Sequence, residues 1–412
     1  MACAWVLLTA GAARAQVGLE LPPTVDEETR GVRFGEFVFR PALSVEGRYN
    51  TNLFREAPEE GPSRAAILGI VPQFQIENPT PSVVRLRWDA NARFQQYFSS
   101  DPNAKKQGVF GASNTLRADV LPRSVVGFFV MERFLREQLP PNLSSPARYD
   151  HNFNHAEAGV QLRPGGGALQ FALSYAFNFD LFDQKKDFDS WSHEARLLGT
   201  WDLMPKTTIL LDADFQVRTW RRPTAGLRVN SMPLRVQAGL RGFVTRKLAV
   251  IVMAGLGKGF YKSGTEFTNF IGQAGVGFQP LHSLFLEVGY RREFEDSYYA
   301  NWYLGDTAYL NFGVQLLRRA NLELSAEYTH VSYASFDPTT LGAGYSANQN
   351  SRKDHALLAK ANVSWSLLRY LSIEVGYRMD ALLTDFQFTG PGGTDRGRYV
   401  SHQVFGGLTG RY

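Results

Sequence analysis

The chain has 412 residues, a net charge of +5 and an aromatic content of 13%. No run of about eighteen apolar residues occurs, which excludes an ordinary membrane-spanning helix but not a membrane barrel, whose two faces cancel in any hydropathy average. The small positive charge forms no block, so nucleic acid is not among the expected partners.

The opening residues, MACAWVLLTAGAARAQ, carry an apolar core from Ala4 to Ala13 and then Ala13-Arg14-Ala15, the small-residue pattern of a signal-peptidase site. Residues 1–15 therefore read as a signal peptide. It takes with it Cys3, the sole cysteine, so neither disulfides nor cysteine metal sites are expected in the mature chain. Residues 16–36 show no sustained alternation and read as a periplasmic lead-in. From Phe37 the pattern changes. Phe37, Phe39, Leu43, Val45 and Tyr49 share one parity, and Arg40, Ser44, Glu46, Arg48 and Asn50 occupy the other. Successive side chains of a strand point to opposite faces, so this is a strand with one apolar and one polar side.

Comparable segments follow to the end, clearest at 84–94, 169–181, 209–217, 284–290, 322–328, 357–367 and 371–379, while 125–136 is apolar on both parities. Many exceed the five or six residues usual for a strand and reach the roughly nine to eleven that cross a bilayer. Short connections at 78–81, 122–124, 164–167, 204–206, 246–247, 280–283, 318–320 and 368–369 alternate with longer polar ones, notably 51–63, 139–152 and 336–352. The stretch 398–412, RYVSHQVFGGLTGRY, has the apolar parity Val400, Val404, Leu408 and Tyr412. A closing strand with an aromatic last residue is what outer-membrane barrel assembly machinery reads, although Gly410 stands where a bulky apolar residue is usual.

The expected fold is all-β: a transmembrane antiparallel up-and-down β-barrel of about eighteen strands over 37–412, in the bacterial outer membrane, with both termini periplasmic and long loops outside. A propeller would pack four short strands into each repeat of about forty residues, where this chain has two long ones. A soluble sandwich also alternates apolar and polar, but strand length, loop asymmetry, the signal peptide and the terminal aromatic stand against it. Aromatic girdles at both membrane interfaces are expected: Tyr97, Trp220, Tyr261, Tyr298, Trp302 and Tyr333 at the outer side, and Trp201, Phe278, Trp365, Tyr370 and Tyr412 at the periplasmic edge.

The polar parity supplies the candidate lumen-lining residues Arg48, Arg87, Arg93, Arg117, Arg218, Arg235, Arg241, Arg291, Arg378, Asp212, Asp214, Glu287 and Glu374. Neighbouring strands can pair such charges, and a weak preference for anions is expected rather than tight binding. Asp212 and Asp214 share a strand face, yet no nucleophile or base accompanies them, so no catalytic residue is expected. The seven histidines lack metal-ligand spacing, and neither a metal nor a cofactor is expected. His402 is expected at an interface. Gly255, Gly257 and Gly259 lack the Lys-Ser/Thr ending of a phosphate loop and read as relief of crowding on one strand face.

Pro41, Leu43, Gly47, Tyr49, Asn52, Phe54 and Arg55, within PALSVEGRYNTNLFR, resemble the opening hairpin of the Putative beta-barrel porin 2 family. Val71-Pro72, RFQQYF at 93–98 and VGYR at 288–291 and 375–378 continue the resemblance. It implies an outer-membrane barrel associated with exopolysaccharide or capsule export. The expected partners are then membrane lipid, a polysaccharide cargo, a periplasmic polysaccharide-export protein and the barrel assembly machinery. A general diffusion porin and a barrel enzyme are the alternatives.

Overall fold

The computed structural model describes residues 31–79, 83–139, 149–223, 228–316, 319–335, 346–390 and 393–412. The signal peptide, residues 16–30 of the lead-in and most of the expected 139–152 and 336–352 loops lie outside the described residues. The strands are β1 Val32–Phe34, β2 Phe37–Asn50, β3 Ala65–Glu77, β4 Val84–Phe98, β5 Phe110–Val120, β6 Val126–Leu139, β7 Tyr149–Leu162 and β8 Leu169–Phe182. They continue as β9 Ser190–Met204, β10 Thr207–Trp220, β11 Ser231–Phe243, β12 Leu248–Tyr261, β13 Phe267–Leu281, β14 Leu284–Asp296, β15 Trp302–Leu316 and β16 Ala320–Tyr333. Last come β17 Ser346–Ala347, β18 Lys353–Leu368, β19 Leu371–Thr384, β20 Phe388–Gly390, β21 Gly393–Asp395 and β22 Tyr399–Arg411.

Eighteen of these form a closed antiparallel barrel in which each strand pairs with the next. β22 returns to β2, from Ala42 opposite Arg411 to Asn50 opposite Gln403, so the main sheet has no open edge. Closure pairs each barrel strand on both sides over most of its length, which the hydrocarbon core of a membrane demands. The short β1 folds back on β2, and β17, β20 and β21 make a separate small sheet among the loops. Both described ends of the chain lie at the end of the barrel that carries the short turns. There the Arg163–Ala168 turn contains Gly165, Gly166 and Gly167 at φ of 66°, 75° and 99°, a left-handed run that residues with a Cβ adopt only under strain.

The two parities part as a membrane barrel requires. On β12, Val252 and Leu256 are 54% and 66% exposed, while Ile251 and Met253, one residue away, are 1% and 5% exposed. A belt of exposed large apolar side chains recurs around the sheet, including Leu43, Val45, Leu173, Val276, Val363 and Val404, and such a belt needs lipid to cover it. The 125–136 stretch resolves into β6. Phe128 and Val130 face outward, and Phe129 is buried beneath the Arg117 guanidinium at 4.8 Å.

The expected girdles divide. Trp201, Phe278, Trp365, Tyr370 and Tyr412 are exposed at the short-turn end, where lipid would meet them. The six residues expected at the other end do not form a girdle: Tyr97, Trp220, Tyr261, Tyr298 and Tyr333 are buried, and Trp302 packs against Phe267 at 4.9 Å, while Phe98, Phe110, Trp191 and Phe270 are the aromatics exposed there. The reason is polar. The Tyr261 hydroxyl donates to Asp296 (2.9 Å), the Tyr333 hydroxyl to Asp354 (3.0 Å) and the Trp220 indole to the Val229 carbonyl (3.1 Å), partners on the protein rather than in lipid.

Candidate functional site: the barrel interior

Cross-strand partners share a face, so the register extends the parity of one polar residue around the barrel. Asp214 stands opposite both Arg196 and Arg235, and Asp212 opposite Gln237. Contacts that jump over strands show which face is concave. Arg218 on β10 lies 3.8 Å from Asp180 on β8 and 3.7 Å from Asp296 on β14, a reach that a closed sheet permits only through its interior.

The interior charges fall into two sectors. In the β8–β16 sector they are closely paired. Arg196 grips Asp212 with two bonds (3.1 and 2.7 Å), Arg235 holds Asp214 (2.8 Å), and Arg291 bridges Glu293 (3.1 Å) and Glu327 (2.9 Å). The Tyr309 hydroxyl donates to Glu287 (3.3 Å). Asp212 and Asp214 are thus each committed to a guanidinium.

The sector around the β2–β22 seam is looser. Arg48 and Arg93 flank Glu46 at 3.9 and 3.8 Å, Arg378 stands 3.7 Å from Asp380, and Lys360 lies directly opposite Arg378. Glu137 on β6 is within Coulombic reach of Arg93, Arg133 and Arg378. Nε and Nη2 of Arg48 and Nε of Arg378 are buried without a hydrogen-bond partner, so this sector holds guanidinium donors that its carboxylates do not engage.

The remaining candidates are scattered. Arg87 pairs with Asp89 (2.7 Å), Arg117 with Asp119 (2.8 Å), and Glu374 lies opposite Ser364 and Gly407. Arg241 stands opposite Thr208 with no ion pair among the described residues. The interior is also less polar than the sequence implied. Leu210, Ala249, Ile251 and Met253 form a buried apolar cluster on the same parity as Asp212 and Asp214.

A constriction escaped the sequence reading. β13 and β14 pair only from Gly272 opposite Arg292 down to the short turn, whereas β14 and β15 stay paired up to Asp296 opposite Trp302. The tip of the β14–β15 hairpin therefore parts from β13 and leans into the barrel. Phe294 is fully buried, stacks on Phe267 at 4.1 Å, and lies over Gly257, where any Cβ would meet the ring at 2.5 Å. Its carbonyl accepts from Arg235 Nε (3.2 Å) and Nη2 (3.1 Å). Asp296 accepts from Ser231 (2.6 Å) and Tyr261 (2.9 Å). Beyond it, Tyr298 reaches across the mouth to Phe188 (4.8 Å), Trp220 (5.2 Å) and Phe182 (6.1 Å). Burial among these rings, with the nearby Asp180 carboxylate, raises the Tyr298 phenol above its ordinary pKa.

The family-like residues of the first hairpin sit at the seam. The Asn52 amide donates to the Val400 carbonyl (3.2 Å) and to Glu56 O (2.8 Å). Arg55, in a left-handed conformation, forms a buried ion pair with Asp380 and lies 5.0 Å over the Tyr399 ring. The first loop is thereby fastened to the two last strands of the barrel.

An eighteen-stranded closed barrel with an apolar outside and a charge-lined inside is the architecture of an integral outer-membrane protein. Residues 27–389 match the family described as Putative beta-barrel porin 2, and the chain belongs to it. No curated protein matches the chain in sequence. Among solved structures it is similar to OpdO of Pseudomonas aeruginosa (13% identity, 91% of this chain and 97% of that one, TM-score 0.49). It is also similar to the FrpB iron transporter of Neisseria meningitidis (7% identity, 90% and 81%, TM-score 0.48) and to OpdQ of P. aeruginosa (12% identity, 90% and 98%, TM-score 0.48).

Proposed function

We propose that the protein is a passive outer-membrane conduit for export of an anionic polysaccharide, working with a periplasmic partner. The observation that carries this reading is the seam sector, where Arg48, Arg93, Arg378 and Lys360 gather on the inner wall and Arg48 and Arg378 keep buried donor nitrogens without a hydrogen-bond partner. Planar guanidinium donors suit the carboxylates and phosphates of an acidic sugar chain. A conduit must also release its cargo, and several weak contacts along a wall serve that better than one tight site. The family resemblance supports the same cargo.

A second reading, a diffusion porin for small solutes, draws support from the β14–β15 tip, which narrows the mouth. Proteoliposomes separate the two. Efflux of a labelled uronic-acid oligomer, slowed in the R48Q/R93Q/R378Q variant, is expected of the conduit. Passage of neutral monosaccharides with full retention of the oligomer would establish the porin instead. In cells, deletion is expected to abolish polymer secretion and leave small-sugar uptake intact.

A further inference from the structure

The two ends of the barrel differ in how they carry charge. Of the eight short turns that join successive barrel strands, six contain an arginine or lysine and none contains an aspartate or glutamate. The side chains of Arg123, Lys206, Arg246, Lys247, Arg319 and Arg369 are exposed, and they enter no ion pair or hydrogen bond among the described residues. The acids nearest this rim are engaged or offset: Glu77 accepts from Arg40 (2.6 Å), Asp202 accepts from the Thr208 hydroxyl (2.7 Å), and exposed Glu36 lies three residues from exposed Arg33. At the long-loop end bases are met by acids. Arg136 lies 2.8 Å from Asp183, Arg221 3.1 Å from Asp189 and Arg222 3.3 Å from Asp187, and Arg396 and Arg398 both pair with Glu59.

The short turns also stand clear of the bilayer. The exposed girdle residues Trp201 and Trp365 are each followed by three more residues of paired strand, to Met204 and Leu368, before the chain turns. At ~3.3 Å per residue and a tilt of about 40° that is about 8 Å further along the membrane normal. A headgroup layer is about 5–8 Å deep, so the turn bases reach the water beyond it rather than lipid phosphate. They sit on separate turns around the mouth, and no hydrogen bond among the described residues fixes their side chains in one geometry. Such an array makes a field rather than a fitted pocket, and a field acts most strongly on a ligand that carries many charges.

We propose that the short turns form a cationic collar that captures the anionic polysaccharide at the barrel entrance and makes the short-turn end the one from which it enters. On the conduit reading, on which this rests, the collar sets how often a polymer end arrives and the seam arginines set how long it stays. Steering by a charged rim raises association rates by about 10–10³-fold without the tight contacts that would hinder release. It fades with salt, as the screening length shrinks from ~10 Å at 0.1 M to ~3 Å at 1 M.

The test is single-channel recording in a neutral phosphatidylcholine bilayer at low salt, with a uronic-acid oligomer added to one side or the other and the short-turn side identified by antibody to a carboxy-terminal tag. In the wild type, interruptions are expected to be at least about tenfold more frequent with the oligomer on the short-turn side, and the difference to shrink in 1 M salt. R123Q/K206Q/R246Q/K247Q/R319Q/R369Q, folded by its heat-dependent gel mobility, is expected to lose the difference in frequency and keep the wild-type event duration. R246Q/K247Q, confined to one turn, is expected to lose part of it and serves if the sixfold variant does not fold. Equal frequencies from the two sides in the wild type, or wild-type frequencies in the folded variants, would overturn the collar while interruptions of any kind keep the conduit. No interruption from either side would overturn both. Disappearance of the difference when phosphatidylglycerol replaces phosphatidylcholine would assign the collar to lipid phosphate and overturn the proposal.

Discussion

Phe294→Ala tests whether the hairpin tip narrows the mouth. The ring is fully buried, stacked on Phe267 and seated over Gly257. Truncating a buried phenylalanine costs about 3–5 kcal/mol through lost transfer energy and the cavity left behind. The Arg235 bonds to the Phe294 carbonyl and the Ser231 and Tyr261 bonds to Asp296 use atoms the substitution leaves in place, so the loss weakens the tip's seating without removing every tether. If the loss falls mainly on the seated tip, then at ~1.4 kcal/mol per factor of ten its displaced population rises at least about 100-fold. Single-channel recording in a planar bilayer is the assay. The variant is expected to spend far longer in a higher conductance level, with its heat-modifiable mobility kept. A folded variant with wild-type levels and dwell times would refute the constriction.

Gly257→Leu should act in the same direction, because its side chain would occupy the space of the Phe294 ring; a higher conductance level in the same recordings checks it. Replacing Arg48, Arg93 and Arg378 together with Gln is expected to shift the reversal potential in a salt gradient toward cations, whereas R87Q/R241Q, at sites apart from the seam cluster, should shift it less. Arg55→Gln removes the closer of the two guanidiniums beside buried Asp380 and leaves Arg378 at 3.7 Å, so the loss should stay below the about 3–5 kcal/mol of an orphaned buried charge, and the temperature at which the folded band disappears on a gel should fall. At the loops, Asp101 accepts from the Ser63 hydroxyl (2.6 Å) and the Asn103 amide (2.8 Å), which hold its carboxyl below the usual range. That clasp is complete above the ordinary carboxylate pKa and is lost as pH falls through the lowered one. Proteolysis of this loop by an acid-active protease should rise across that window in the wild type and lose the pH dependence in Asp101→Asn.

The barrel was legible because lipid and interior impose period-two patterning on every strand, so 84–94, 169–181 and 371–379 announce β4, β8 and β19 directly. Tyr97 shares parity with Arg93, Trp220 with Asp212, Asp214 and Arg218, and Tyr333 with Glu323 and Glu327, so all three belonged to the inward face. The hairpin tip was not legible in that way. Phe294 shares the outward parity of Val288 and Tyr290, and alternation cannot tell a side chain that meets lipid from one that meets the inner face of β12 and β13. The two charge sectors likewise depend on which strands close the seam.

The most direct test of the account is the conductance of the purified chain in a planar bilayer with a uronic-acid oligomer added to one side. A conduit for an acidic polymer is expected to give discrete channels with weak anion preference, interrupted by the oligomer in events that shorten when Arg48, Arg93 and Arg378 become Gln. Channels that pass ions but ignore the oligomer at every concentration, in wild type and variant alike, would contradict it.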